Sequence, residues 1–188
     1  MYCTIADLKA YTGITGTGDD LLLYDCILRA QKAIEKRTGR IFEVTANTTR
    51  YLDAQADVCG RTLLLRADYA AISSITNGDG VTVSASDYVT KPANSTPYYA
   101  VVLKGSAGLT WTWNTDPENA ITVVGKVGYS LTPPDDIVQA CVRLATHMYR
   151  AKDSQIMETV MTEQGIIAVQ QGIPRDVYEL IRGYVRVI

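Results

Sequence analysis

One histidine and one phenylalanine occur in 188 residues, and none of the four cysteines stands in a C-x-x-C spacing. A single histidine, His147, leaves little for acid–base work. A general base needs an orienting partner and a reacting group within hydrogen-bond reach, and nothing near His147 in sequence supplies either. Cys3, Cys26, Cys59 and Cys141 are far apart and lack zinc-ligand spacing, so they read as reduced thiols. Cys26 and Cys141 fall on apolar helical faces, where a free cysteine behaves as a small hydrophobe. No apolar run approaches the roughly 18–20 residues of a membrane span, and the first seven residues lack the basic and apolar regions of a signal peptide. There is no basic excess either. Lys+Arg number 18 against 20 Asp+Glu, a net charge of -2, which speaks against a free-standing binder of nucleic acid or anionic membranes. The glycine-rich stretches Gly16-Thr17-Gly18 and Val124-Gly125-Lys126-Val127-Gly128 do not fit the phosphate-binding pattern G-x-x-x-x-G-K-[ST].

What is present is an ordinary globular composition, 47% hydrophobic and 20% charged, with ample apolar surface to bury and no mark of intrinsic disorder. The length fits one domain, or one domain carrying an insertion. Tyrosine is abundant, with 12 copies. Its apolar ring and polar tip suit surfaces that become buried on assembly.

The hydrophobic period changes twice. Thr4 with Asp7 forms a capping-box pattern ahead of Ile5 and Leu8, and this first helix stops near Gly13. Asp19 and Asp20 open a second helix. Leu23, Ile27, Ala30 and Ile34 share one of its faces, basic residues gather toward its end, and Gly39 stops it. From about Asn47 the period falls to 2. Strands are predicted at Thr49–Leu52, Thr62–Arg66, Ile72–Thr76, Val81–Val83, Tyr99–Leu103, Leu109–Trp113 and Ala120–Val124, with Asn77-Gly78-Asp79-Gly80 as a hairpin turn. Helix returns after Pro133-Pro134, Pro134 taking the first helical position. Ile137, Cys141, Leu144 and Met148 form its stripe, widened by Val138, Ala145 and Tyr149. Residues 152–172 show no clean period and are expected to be mobile, or swapped onto a neighbour, in the free protein. Pro174 opens a last helix carrying Val177, Leu180, Ile181, Tyr184 and Ile188. The expected fold is α+β, a small helical bundle with an antiparallel β-domain inserted between its second and third helices. The corresponding domains are residues 1–45, 46–131 and 132–188.

Few residues stand out as candidates for chemistry. His147 lies on a polar helical stripe with Arg143 and Arg150 and reads as a packed or interface residue. Asp19-Asp20 and Asp135-Asp136 open helices, where carboxylates stabilise unpaired N–H groups. Trp111 and Trp113, two apart in the predicted strand, would face one side. That pattern fits a sheet core or a subunit contact first, and a platform for stacking a sugar or base second.

The order helix, helix, β insert, helix, helix resembles the head–tail connector proteins of tailed bacteriophages, the adaptor or head-completion family, in the longer form with a β insert. The matching residues run from Ala30-Gln31-Lys32-Ala33-Ile34-Glu35-Lys36-Arg37-Thr38-Gly39-Arg40 through the hairpin Ile72 to Val83 and Ser86-Asp87-Tyr88. They continue with Val124-Gly125-Lys126-Val127-Gly128-Tyr129, Pro134-Asp135-Asp136-Ile137-Val138-Gln139-Ala140 and His147-Met148-Tyr149-Arg150, and close with the C-terminal helix. Residues 152–172 and the run Gly105 to Asn114 depart from the family pattern.

The resemblance implies a structural virion protein at the head–tail junction, made in the cytoplasm of the bacterial host. Such proteins form a ring, usually dodecameric, under the portal. They extend the DNA channel and present a docking surface to the next connector, stopper or tail protein. DNA is cargo only; no membrane, reaction or cofactor is implied. A ring of identical subunits needs two different patches that meet around the circle. Arg175, Tyr178, Arg182, Tyr184 and Arg186, mostly off the apolar stripe of the last helix, are the expected portal-docking residues, or else they solvate a surface helix. Trp111, Trp113 and His147 are possible subunit contacts. The alternatives are another head-completion or tail-terminator protein and, from a different class, a small hydrolase or sugar-binding domain built on the Trp111/Trp113 strand.

Overall fold

The computed structural model describes residues 1–154, 159–162, 165–168 and 172–186. The chain runs through α1 (Ile5–Thr12), α2 (Asp20–Thr38), β1 (Thr48–Leu52), β2 (Val58–Cys59), β3 (Thr62–Thr76), β4 (Thr82–Val83), β5 (Tyr88–Lys91), β6 (Tyr98–Leu103) and β7 (Ile121–Val127). It continues with α3 (Asp135–Ser154), β8 (Thr159–Thr162), β9 (Gly165–Ala168) and α4 (Arg175–Ile181). Backbone contacts divide it into two units, Met1–Arg40 with Pro133–Ile188, and Ile41–Thr132. The architecture is α+β, with the β-rich stretch lying between α2 and α3.

In the helical unit, α1 starts on a reciprocal capping box. The Asp7 N–H donates to Thr4 Oγ1 and the Thr4 N–H to the Asp7 carboxylate, which satisfies two orphan donors of the first turn. The Thr4 contacts, side chain first and then backbone, hold the Asp7 carboxyl below its usual range. Gly13 and Gly39 end α1 and α2 in the left-handed conformation that a side chain disfavours. The stripe Leu23, Ile27, Ala30 and Ile34 is fully buried, and so are Ile137, Ala140, Cys141 and Leu144 of α3 and Val177 and Ile181 of α4. Pro134 precedes the first helical residue of α3 instead of occupying it, and its carbonyl accepts from the Ile137 and Val138 N–H groups.

Asp19 does not cap α2 as its place in sequence suggests. Its carboxylate accepts from Tyr149 Oη at 2.6 Å and lies 3.7 Å from Lys152 Nζ, so it ties the α2 start to the end of α3. The Tyr149 bond keeps the Asp19 carboxyl low and pushes the Tyr149 phenol up. Asp20 pairs instead with Lys9 of α1.

Glu35 fastens the chain start to α2. It accepts from Tyr2 Oη and Gln31 Nε2, both at 3.0 Å, and from Lys32 Nζ at 2.7 Å. Burial pushes its carboxyl up, but these three donors outweigh burial and leave it below its ordinary 4.5. A carboxyl depressed on folding adds stability that is present above its unfolded pKa and lost as pH falls through the folded value. Glu35→Gln is therefore expected to cost about 1 kcal/mol at neutral pH and to flatten the loss of stability between about pH 5 and pH 3. Urea midpoints across that range, compared with wild type, would read this out, and parallel curves would contradict it.

The β unit is an antiparallel sheet in the order β1-β7-β3-β6-β5, with β2 and β4 pairing at the two ends of β3. The segments 62–66 and 72–76, which the sequence pattern separates, are one long strand. Register shifts interrupt β3 near Arg66, whose φ of 54° is a bulge conformation. Arg66 is held there by an ion pair from Nε to Asp57 Oδ1 at 2.6 Å and a bond from Nη2 to the Ala56 carbonyl. Ala67, Tyr69 and Ala70 turn inward across the bend. The core gathers Leu63, Leu65, Tyr69, Ile75, Val101, Leu103, Ile121 and Val123.

Residues 109–113 do not form the expected strand. A 3₁₀ turn at Gly105–Ala107 and a left-handed Gly108 redirect the chain before it. Its hydrogen bonds then go to a side chain in place of a neighbouring strand. Asn77 Nδ2 donates to the Thr110 carbonyl and the Thr112 N–H donates to Asn77 Oδ1, with a single parallel bridge between Gly78 and Trp113. Gly78 makes the approach possible, because a Cβ there would overlap the Thr112 oxygen and stand 2.9 Å from Ala120 Cβ. The left-handed residue of the turn is Gly80, at φ 85°.

Residues 152–172 also differ from a stretch without period. α3 runs on to Ser154, and β8 and β9 form an antiparallel pair from Thr159↔Ala168 to Thr162↔Gly165. Whether the segment is mobile or swapped bears on residues 155–158, 163–164 and 169–171, which lie outside the described residues.

Candidate functional site

An open groove of about 220 Å³ lies in the helical unit where α1, α3 and α4 meet. Tyr11 comes from α1. Arg143, His147 and Arg150, at i, i+4 and i+7, line one side of α3. Asp176 and Val177 come from the first turn of α4. Arg143 Nη1 bonds Asp176 Oδ2 at 3.1 Å, and His147 has no hydrogen-bond partner among the described residues. No nucleophile and base are joined here. The groove offers cationic and aromatic contacts, a chemistry of recognition rather than of bond making.

The five expected docking residues do not share one helix. Arg175 and Tyr178 lie on α4, which ends at Ile181. Arg182 and Tyr184 lie in the 3₁₀ turn Arg182–Tyr184, and Arg186 is in extended chain beyond it. Gly183 and the tie from the Arg186 N–H to the Thr38 carbonyl close the segment back onto α2. Arg182 pairs with Glu179 at 2.8 Å and the Tyr184 hydroxyl donates to Asp136 at 3.3 Å. Arg37 of α2 stacks over the Tyr178 ring at 5.0 Å. Arg175, Tyr178 and Arg182 are exposed, and Tyr184 and Arg186 are half-buried.

The tryptophans part company because their segment is a loop. Trp111 is 7% exposed and donates from Nε1 to the Arg61 carbonyl at 3.0 Å, while Trp113 is 40% exposed. A cavity of about 250 Å³ beside this loop is lined by Asn77, Asp79, Leu103, Leu109 and Thr110 among others, and by neither indole. The geometry of a stacking platform, two rings on one side of a strand, is not formed.

Two features escaped the sequence pattern. Cys3 and Cys141, 138 residues apart, are buried with their sulfurs 3.5 Å from each other. The contact with Cys3 and then burial push the Cys141 thiol far up. Of the four thiols only Cys59 is exposed. A native thiol titration is therefore expected to show one fast-reacting group, with three more appearing only on unfolding; fast reaction of all four would contradict the packing. The second feature is an apolar ridge on the outer side of α2, where Leu21 is 85% exposed, Tyr24 42% and Leu28 38%. The run Leu21-Leu22-Leu23-Tyr24 carried its signal, since three leucines in succession cannot all fit one buried stripe.

The tyrosine excess resolves in the same direction. Tyr11, Tyr24, Tyr51, Tyr99 and Tyr178 are exposed, and of the twelve only Tyr2 and Tyr69 are buried. Among the described residues no three His, Cys, Asp or Glu side chains gather as a metal site would need, and no helix is long and apolar enough to cross a membrane.

No protein-family model matches the sequence, and no curated protein does. The fold, however, is shared with solved structures. A chain of the neck of an empty GTA particle, computed with C6 symmetry, superposes with a TM-score of 0.57 at 20% identity, over 97% of this chain and 90% of that one. A chain of the virion of a native gene transfer agent (GTA) particle superposes with a TM-score of 0.51 at 22% identity, over 93% of this chain and 82% of that one.

Proposed function

We propose that this chain is a structural protein of the neck of a phage-like particle: a head–tail connector that forms a ring under the portal, extends the DNA channel and receives the next connector, stopper or tail protein. The observation that carries this reading is the extent of the fold likeness, 97% of this chain on 90% of a neck chain. A shared fragment would not keep the order of both helical segments and the intervening sheet. The motif order in the sequence, the near-neutral charge and the exposed tyrosines all point the same way.

A dodecameric ring retains a sixfold axis, so the symmetry applied to the neck neighbour is compatible with it. DNA must pass quickly through such a ring, and a net charge of -2 encloses phosphates without gripping them. Arg175, Tyr178 and Arg182, the exposed members of the C-terminal set, are the portal-facing anchors. A tail-terminator or another completion protein remains the rival within this class, distinguished by which face meets the portal.

The test is to mix the purified protein with its portal and image the product. Rings seated on the portal are expected. No ring and no portal binding across a wide concentration range would sink the reading.

A further inference from the structure

The helical unit carries two unpartnered patches that match each other. The first is the α2 ridge. Leu21, Tyr24 and Leu28 follow at i, i+3 and i+7, so they line one side of the helix over about 10 Å. Leu22 widens the ridge at its start, and Asp25 sits within it. The second is the groove of Tyr11, Arg143, His147, Arg150 and Val177. Arg143 is committed to Asp176. Asp25 on the ridge and Arg150 at the groove have no ion-pair partner among the described residues.

We propose that the α2 ridge of one copy of this chain seats in the α1/α3/α4 groove of the next, with Leu21, Tyr24 and Leu28 against Tyr11 and Pro174, and Asp25 facing Arg150. Three physical points select a second copy as the occupant. A cluster of exposed leucines next to a tyrosine is apolar surface that a soluble subunit covers by association. Asp25 within the ridge and Arg150 at the groove are of opposite sign, which sets the register of docking, with exposed Arg29 flanking the ridge one turn on. The patches share no residue, so every copy offers one of each, and the contact propagates from copy to copy instead of closing as a dimer.

This pairing rests on the self-assembly part of the proposed function and is independent of portal binding and of DNA. The variants Asp25→Arg and Arg150→Asp test it by sedimentation velocity on the full chain, from low micromolar to near millimolar concentration, with and without portal. Each variant alone brings like charges together and is expected to weaken association about tenfold or more. An equimolar mixture of the two restores opposite charges at every contact, as does the double variant, and both are expected to recover assembly. Leu21→Glu is expected to lose assembly with no such rescue.

Single charge variants that assemble like wild type overturn the pairing, and so does a mixture that stays apart. A wild-type chain that is monomeric in both settings overturns it as well; the ridge would then be covered by a different protein. The two readings fail separately. Rings on the portal that ignore both charge changes leave the neck assignment standing without this interface. Rescue by mixing with no portal binding leaves the interface standing without the neck assignment.

Discussion

Gly125→Ala is expected to lower the stability of the β unit by about 3 kcal/mol. Gly125 sits in β7, the strand between β1 and β3, paired with Thr48 on one side and Ile72 on the other. A Cβ at this position would run into the Ala71 carbonyl oxygen and stand 3.1 Å from both Ile72 Cα and Tyr69 Cδ1. Two of those contacts are backbone in the neighbouring strand, so no side chain can swing away to make room. The strands must separate, and Tyr69, fully buried, must move with them. Interiors packed this closely respond to one added methyl by strain rather than by flow. Tryptophan fluorescence reports on this unit alone, because Trp111 and Trp113 both belong to it. Urea unfolding followed by that signal should show the midpoint drop while the helical unit, followed by far-ultraviolet dichroism, changes little. An unchanged fluorescence midpoint would mean that β3 and β7 are not spaced as described. The same geometry accounts for the glycine-rich sequence around Gly125 by sheet packing, with no need of a phosphate.

Phe42→Ala is expected to cost about 3–5 kcal/mol. Phe42, the sole phenylalanine, is fully buried, and its ring meets that of Tyr129 at 5.3 Å between centroids with a 56° tilt. Two hydrogen bonds pin the backbone around the pair. The Tyr129 N–H donates to the Ile41 carbonyl at 2.7 Å and Ser130 Oγ donates to the Phe42 carbonyl at 2.8 Å. With its neighbours held this way, the site cannot collapse into the space left by the ring, and the cavity term adds to the lost burial. Phe42→Leu keeps much of the volume and should recover most of the loss, leaving a deficit near 1 kcal/mol. Thermal unfolding of the three proteins would check this: a fall of about 10 °C is expected for the alanine variant, and equal melting for alanine and leucine would place Phe42 outside the core.

Several features of the fold were legible locally. The capping box at Thr4 and Asp7, the stripe Leu23, Ile27, Ala30 and Ile34, and the glycine stops at residues 13 and 39 depend on residues a few positions apart. The switch of period from near 3.6 to 2 placed the sheet between α2 and α3, and β1, β4, β6 and β7 lie close to where alternation put them, but 62–66 and 72–76 join as β3, β2 and β5 went unread, and the stretch at Trp111 forms no strand. That exception is instructive. Leu109 to Trp113 alternates as well as any strand in the chain, but its backbone groups are met by the side chain of Asn77, more than thirty residues away. No period can report a partner at that distance.

The candidate site divides along the same line. The stripe Arg143, His147 and Arg150 followed from helical spacing alone. Its facing wall of Tyr11, Asp176 and Val177 did not, because α1 and α4 reach it only through the packing of the helical unit. Likewise, the polar residues near the C-terminus read as one helix face, while α4 ends at Ile181, a 3₁₀ turn follows, and the bond from the Arg186 N–H to the Thr38 carbonyl holds the extended chain beyond it, so they fall in three conformations.

By itself the sequence determined the helices on either side of a β-rich stretch, the buried faces of α2 and α3, and the lack of a base and nucleophile near its single histidine in the chain. Each of these follows from short-range spacing or composition. Tertiary structure alone decided that the two tryptophans separate, that Cys3 meets Cys141, that Asp19 bonds Tyr149 instead of capping its helix, and which leucines of the run Leu21-Leu22-Leu23 stay in water. Those outcomes hinge on contacts between residues far apart in the chain, whose free energies local periodicity does not contain.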